Sequence, residues 1–306
     1  MIVAPHASTS RAPGATLLRV FALVRYRFFL YAGLMPYLLG AAWAYAMVDE
    51  FDAPLFWSGF GGVVLSVIGV EAFNEYFDAR MGTDRVFNPE DIPPIAQAVF
   101  WIGCIAFAAA LAVGIYLSFR IGWPILVFAL LGGAAAIFYE APPIRWSYRG
   151  LGELMIALSY GPWMVLGSLY LHTQGFSWAA FAASFVPACF IMALAVVNAI
   201  PDFHQDRLVG KRNLVVRVGR ENAVYLYLAL AGAGLAVIVM GVIARAFPPV
   251  SLVALVAGVP VAASARCALR NFSAPRQFLP AMRSMVVAYI VVTGLFTAAI
   301  FAQSFG

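Results

Sequence analysis

Apolar residues fill this chain in long runs. They show neither the strict alternation of a half-buried strand nor the narrow stripe of a water-facing helix. A helix that crosses a bilayer needs about 20 mostly apolar residues. Nine stretches reach or approach that length: 28–48, 55–77, 98–119, 123–139, 151–171, 179–200, 223–243, 250–265 and 285–301. The fourth and eighth are the shortest. Residues 1–27 hold Ala, Ser, Thr, Pro and four arginines and read as an entry segment. A cleaved leader is not expected, because the first apolar run is too long for a signal core and lacks a clear cleavage site after it. The pattern predicts an all-α integral membrane protein of nine transmembrane helices. Residues 1–27 form an N-terminal cytoplasmic segment and 28–306 one nine-span domain.

Composition agrees with this reading. The chain is 63% hydrophobic and 11% charged, against about 25% charged in a soluble domain. So few charges cannot cover a water-facing surface or build a nucleic-acid-binding stripe. The net charge of +5 is informative through its placement. Seventeen of the nineteen basic residues fall in the N-terminal segment or in the loops after spans two, four, six and eight, leaving only Arg120 and Arg245 on the other face. The positive-inside rule then puts the N-terminus in the cytoplasm and the C-terminus outside, in a multi-pass protein of the cell (inner) membrane. Cys104, Cys189 and Cys267 are far apart, with no C-x-x-C spacing, and read as small buried hydrophobes.

The acids gather at two span ends. Span two closes with Glu71, Asn74, Glu75 and Asp78, which share a helix face, followed by Arg80, Asp84 and Arg85. Span six closes with Asn198, Asp202 and Asp206, stepping by four, then Arg207, Lys211 and Arg212. The phrase Asn-x-x-x-Asp thus occurs twice, 124 residues and four spans apart. That suggests a duplication: two related four-helix halves plus a final helix, each half lending a polar helix end to one cavity. Carboxylates converging from two helices need cations between them. Mg²⁺ suits the task, taking oxygen ligands and sharing its sphere with phosphate.

A third segment lies on the same face: Tyr139, Glu140, Pro142, Pro143, Arg145, Trp146, Tyr148, Arg149, Gly150, Gly152 and Glu153. The proline pair stops span four. Arg145 and Arg149 are candidate phosphate forks, and the rings of Tyr139 and Tyr148 can face a cation. His204 and His172 are weaker candidates. Gly61-Gly62 and Gly132-Gly133 read as close-packing positions inside spans.

These motifs resemble those of the UbiA superfamily of intramembrane prenyltransferases over nearly the whole chain. The segment Tyr148 to Glu153, with Gly161-Pro162 and Val165-Leu166-Gly167, is most similar to the branch that prenylates 1,4-dihydroxy-2-naphthoate. The resemblance implies a nine-helix bundle whose cavity opens to lipid. It also implies Mg²⁺-dependent transfer of a polyprenyl group from its diphosphate to an aromatic small-molecule acceptor, a quinone precursor. Asn74, Asp78, Asp84, Asn198, Asp202 and Asp206 would be metal ligands or their supports. Arg80, Arg85, Arg145, Arg149, Lys211 and Arg212 would hold the diphosphate, with Asp78, Asp202, Tyr139 and Tyr148 closest to the chemistry. Three departures stand out: Glu75 where an aspartate is usual, one arginine and two acids over 85–94, and Ser147 where a lysine is common. Other acceptors (4-hydroxybenzoate, homogentisate, haem, a lipid alcohol) stay open, as does a transporter or lipid-binding role. Against transport, the acids sit at one face, with Glu71 the closest exception.

Overall fold

The computed structural model describes residues 27–81 and 97–303, with backbone alone at 27–32, 78–79 and 81. Every regular element among them is helical. In chain order these are α1 (Arg27–Val48), α2 (Ala53–Met81), α3 (Gln97–Ile121), α4 (Pro124–Ile137), α5 (Trp146–Arg149), α6 (Gly152–Leu158), a π-helical turn (Ser159–Trp163), α7 (Met164–Thr173), α8 (Trp178–Ala199), α9 (Phe203–Leu208), α10 (Leu214–Val218), α11 (Arg220–Ile243), a 3₁₀ segment (Pro249–Ala257), α12 (Gly258–Asn271) and α13 (Pro275–Ala302). Among the described residues, seven helical segments are long and apolar enough to cross a membrane, and Gly33–Val48 and Pro124–Ile137 are shorter apolar helices. The chain is a multi-pass membrane protein.

Local chemistry sets several boundaries. Asp52 Oδ1 accepts from Leu55 N at 2.8 Å and Ser177 Oγ from Ala180 N at 3.2 Å, satisfying amide groups that the first turns of α2 and α8 leave open. Pro124 and Pro275 stand in the first turns of α4 and α13, where a missing N–H costs nothing. That explains why α13 starts ten residues before the expected span at 285. Phe278 and Ala281 are fully buried, so its first turns already pack in the core.

Two expected continuities break. The fifth span contains the π turn, with Gly161 at φ −111° and ψ −106° and Pro162 beside it. The sixth ends at Ala199, because Pro201 cannot continue the ladder. Asp202 and Asp206 therefore belong to α9 and its cap, not to one helical face shared with Asn198.

The bundle packs unevenly. α8, α11 and α13, joined by α1 and α7, enclose the main core around Leu39, Phe190, Leu194, Tyr227, Met285, Tyr289 and Phe296. The α2–α3 pair meets through glycine: a Cβ on Gly103 would strike the Phe73 ring and one on Gly69 the Phe107 ring. Beyond that seam, α1 to α4 and α6 to α7 enclose empty space.

Candidate active site

That space is a cavity of about 570 Å³. Along α2 it is lined by Gly59, Gly62, Val63, Ser66, Val67, Val70 and Asn74, one face of one helix. Asn74 and Tyr139 stand at the end where the acidic motifs lie, and Tyr37, Leu117, Ile125 and Leu171 at the other. Leu111 on α3 and Leu130 on α4 also line it and are 41% and 52% exposed. The π turn contributes Ser159, Tyr160 and Trp163 to the wall. Non-helical backbone at membrane depth is tolerated where it borders a cavity or is buried in protein, and this turn meets that condition.

The glycine expectation needs correction here. A Cβ at Gly61, Gly132 or Gly133 would meet nothing within 4 Å, and only Gly62, beside Val113, is in contact. Gly132 and Gly133 do not bring helices together. They widen the cavity.

Above the acidic end, two loops are knitted into one cap. Lys211 Nζ pairs with Glu140 Oε1 at 3.0 Å, both side chains buried. Glu153 Oε1 accepts from Leu214 N at 2.9 Å, and Arg217 donates to the carbonyls of Arg149 at 2.5 Å and Arg212 at 2.9 Å. Gly150 is at φ +72°, and a Cβ there would run into the Arg217 guanidinium, so only glycine serves both needs. Trp146 N and Ser147 N donate to the carbonyls of Phe138 and Tyr139, folding the proline loop back on itself. The Tyr148 ring has Arg145 Cζ 5.3 Å and Lys211 Nζ 5.9 Å from its centroid, within cation–π range. Arg145 holds a left-handed φ of 54°, and its buried Nε has no hydrogen-bond partner. Strain of that kind, about 1–3 kcal/mol, persists only where the surroundings enforce it.

The expected site residues fall into groups. Asn74, Tyr139, Tyr148, Arg145 and Lys211 gather at the cavity head and its cap. Asn198 and Asp202 are half-buried at the end of α8 and the start of α9. Asp206 is buried and receives Asn213 Nδ2 at 2.6 Å, while Asn213 Oδ1 caps α10 through Val216 N. Arg149 is exposed and donates to the carbonyls of Ile144 at 2.6 Å and Pro143 at 3.4 Å, bracing the loop. Arg80 is exposed over the Tyr76 ring at 4.5 Å, and Arg212 is exposed. The Asp78 side chain, Asp84 and Arg85 lie outside the described residues. Among the described residues no cluster of three His, Cys, Asp or Glu is arranged to hold a metal. The motif side chains nevertheless offer oxygen alone, the donor chemistry of Mg²⁺, and the buried Asn74 Oδ1 has no protein partner.

Several residues carry more than their sequence pattern indicated. Glu140, Glu153, Asn213 and Arg217 tie the loops together. Tyr160 enters the wall because of the π turn, which Gly161-Pro162 inside an apolar run could have signalled. Glu71 has a buried Oε1 with no hydrogen-bond partner, within electrostatic reach of the Tyr160 hydroxyl.

The described helices thus form a membrane bundle around an apolar cavity with a polar, cation-bearing cap at one end. The chain belongs to the UbiA prenyltransferase family, whose model matches residues 33–287. It is 26% identical over 213 residues to the 1,4-dihydroxy-2-naphthoate octaprenyltransferase of Bacillus subtilis, covering 65% of this chain and 66% of that one. With the enzyme of the same name from Mycobacterium tuberculosis it is 27% identical over 270 residues, 82% of this chain and 85% of that one. Among solved structures, a UbiA homolog from Aeropyrum pernix K1 superimposes with a TM-score of 0.64 at 16% identity, covering 86% of this chain and 97% of that one. A UbiA homolog from Archaeoglobus fulgidus bound to DMAPP and Mg²⁺ gives 0.59 at 15%, covering 95% and 99%.

Proposed function

We propose that this protein transfers a polyprenyl group from its diphosphate to 1,4-dihydroxy-2-naphthoate or a closely similar aromatic quinone precursor. The observation that carries the reading is the apolar cavity headed by Asn74 and Tyr139 beneath the cap that holds Arg145 and Lys211. The naphthoate relatives support this acceptor. We infer nine spans, counting the two shorter apolar helices, with the N-terminus cytoplasmic.

The residues divide the work by charge. The leaving diphosphate gathers negative charge as the C–O bond lengthens. Fixed cations aimed at that charge favour the transition state over the ground state. Arg145, held beside Tyr148, is such a cation, Lys211 next to it is paired with Glu140, and the exposed Arg80 and Arg212, together with Arg85, would add to the field. Asn74, Asp78, Asp84, Asn198 and Asp202 would hold Mg²⁺, with Asp206 bracing their support through Asn213. When bound, Mg²⁺ neutralises diphosphate oxygens and stabilises the departing group. The allylic cation at C1 faces the Tyr139 ring, whose π face stabilises it without trapping it. The apolar wall excludes water, which would otherwise capture the cation.

The test is prenyl transfer by the purified protein in detergent, with geranyl, farnesyl or geranylgeranyl diphosphate and either 1,4-dihydroxy-2-naphthoate or 4-hydroxybenzoate, in Mg²⁺ or EDTA. Mg²⁺-dependent prenylation of the naphthoate is expected. Prenylation of 4-hydroxybenzoate alone would reassign the acceptor, and no transfer from any donor would overturn the reading.

A further inference from the structure

Charge in this chain is unbalanced toward its end. Glu221 is the last acid, and residues 222–306 carry five arginines. Four of these, Arg266, Arg270, Arg276 and Arg283, flank the turn between α12 and α13, and all are exposed. Arg220 ties that turn to the capped end of the bundle. Its Nη1 donates to the Ser273 carbonyl at 3.3 Å, and its Cζ lies 5.6 Å from the Phe203 ring centroid. The other four guanidinium groups have no ion-pair, hydrogen-bond or ring partner among the described residues.

Their spacing places them on one surface. Val259, Ala263, Arg266 and Arg270 step by four, three and four along α12, and Arg276, Pro280, Arg283 and Val287 do the same along α13, so each set forms one stripe. Every member is exposed. The opposite sides are buried. Ser264 Oγ donates to the Ala281 carbonyl at 2.9 Å and lies 3.1 Å from the Tyr227 hydroxyl, while Ala268, Phe278 and Met285 are fully buried. Both helices turn their backs on the same core, so both stripes face outward. Each changes in the same sense, from valine away from the turn to arginine toward it. Arg266 lies about 6 Å along the axis from Arg270, and Arg283 about 10 Å from Arg276. That spread covers the headgroup layer of a bilayer, about 5–7 Å per leaflet.

We propose that the outward side of the α12–α13 hairpin binds an anionic phospholipid, with its phosphate between the arginines of the two helices and its acyl chains along Val259 and Val287. Four like charges on two touching helices repel, and no acid of this segment answers them. A guanidinium forks onto phosphate oxygens, and basic clusters at a membrane face attract anionic headgroups. A lipid supplies the counter-charge and also continues the apolar part of each stripe. Free phosphate would supply only the charge. No residue of either helix lines the cavity, so the site stands apart from prenyl transfer and does not depend on that reading.

The test uses the whole protein in detergent, with phosphatidylglycerol, phosphatidylcholine or inorganic phosphate added. Lipid retention is read by native mass spectrometry and stability by the melting temperature. Phosphatidylglycerol is expected to stay bound and to raise the melting temperature by about 3 °C or more, with shifts below about 1 °C from the other two. Arg266→Gln combined with Arg283→Gln is expected to cut phosphatidylglycerol retention by about fivefold or more. Arg120→Gln with Arg245→Gln removes as much charge at the other end of the bundle and is expected to leave retention unchanged. Should the first pair fail to fold, Arg270→Gln with Arg276→Gln carries the same expectation. In wild type, added salt is expected to weaken the phosphatidylglycerol effect. Equal shifts from the two lipids, a salt-insensitive effect, unchanged retention in the hairpin variants or equal loss in the control would each overturn the proposal. A full shift from inorganic phosphate alone would overturn the lipid as the source of the phosphate.

Discussion

Lys211 and Glu140 meet out of water, and a buried pair is most revealing when one partner is removed. Lys211→Ala leaves an uncompensated buried carboxylate, an effect of about 3–5 kcal/mol, and is expected to lower the melting temperature in detergent sharply. Arg212→Ala, one residue on and exposed, is expected to shift stability by no more than about 0.5 kcal/mol. Equal melting temperatures in the two variants would remove Lys211 from the structural role. Glu71 gives the opposite sign. Its orphan oxygen is costly at membrane depth, so Glu71→Leu is expected to raise the melting temperature. At this scale the sequence was partly legible. Spacing brought Asn74, Tyr139, Tyr148 and Lys211 forward as candidates, and the fold gathers them at one end of the cavity and in its cap. It did not reveal that Arg149 is spent on loop carbonyls or that Asp206 is engaged by Asn213. Those roles depend on which groups a fold leaves without a partner, and no local pattern of charges encodes that.

Helices were easier to read, because a run of about 20 apolar residues has few other fates. The expected spans coincide with helical segments to within a few residues except where proline or glycine acts in context. Proline inside α8 and α13, at Pro187 and Pro280, is absorbed without ending either helix, whereas Pro201 coincides with a break. The π turn depends on its neighbour as well. A Cβ on Gly161 would overlap Ala188 and approach the Ser184 carbonyl at 2.9 Å, so Gly161 lets this turn lie against α8. Gly161→Ala is expected to destabilise the bundle by about 1–3 kcal/mol through overpacking, seen as a lower melting temperature. Leu154→Ala, on the exposed side of α6, serves as the control and is expected to shift it far less. A neutral Gly161→Ala would mean that the α6–α7 arm is free to move away from α8.

For the whole molecule, the repeated Asn-x-x-x-Asp phrase suggested equivalent halves. The contents of those halves differ: a dense core under α8, α11 and α13, and a hollow under α1 to α4. The motif repeats in the sequence, while the division into scaffold and container depends on side-chain volume across helices distant in sequence. Orientation is testable at this scale. Single cysteines at Gln174 and Arg245 are expected to react with an impermeant thiol reagent from outside intact cells, and one at Gly210 only after lysis. The reverse pattern would turn the molecule over.

The stitching of the loops at 139–153 and 211–217 has a consequence for how the protein is made. Glu140 and Glu153 leave the ribosome some sixty to seventy residues before Lys211 and Leu214, their partners across the cap. During that interval the first half is already in the bilayer with two acids that nothing answers. Chains generally fold in the order of their synthesis, so this half must wait in an open form, loops in water, until the end of the sixth span arrives. A chain stopped before residue 211 never closes its cap, and quality-control proteases would meet it as an unfinished protein.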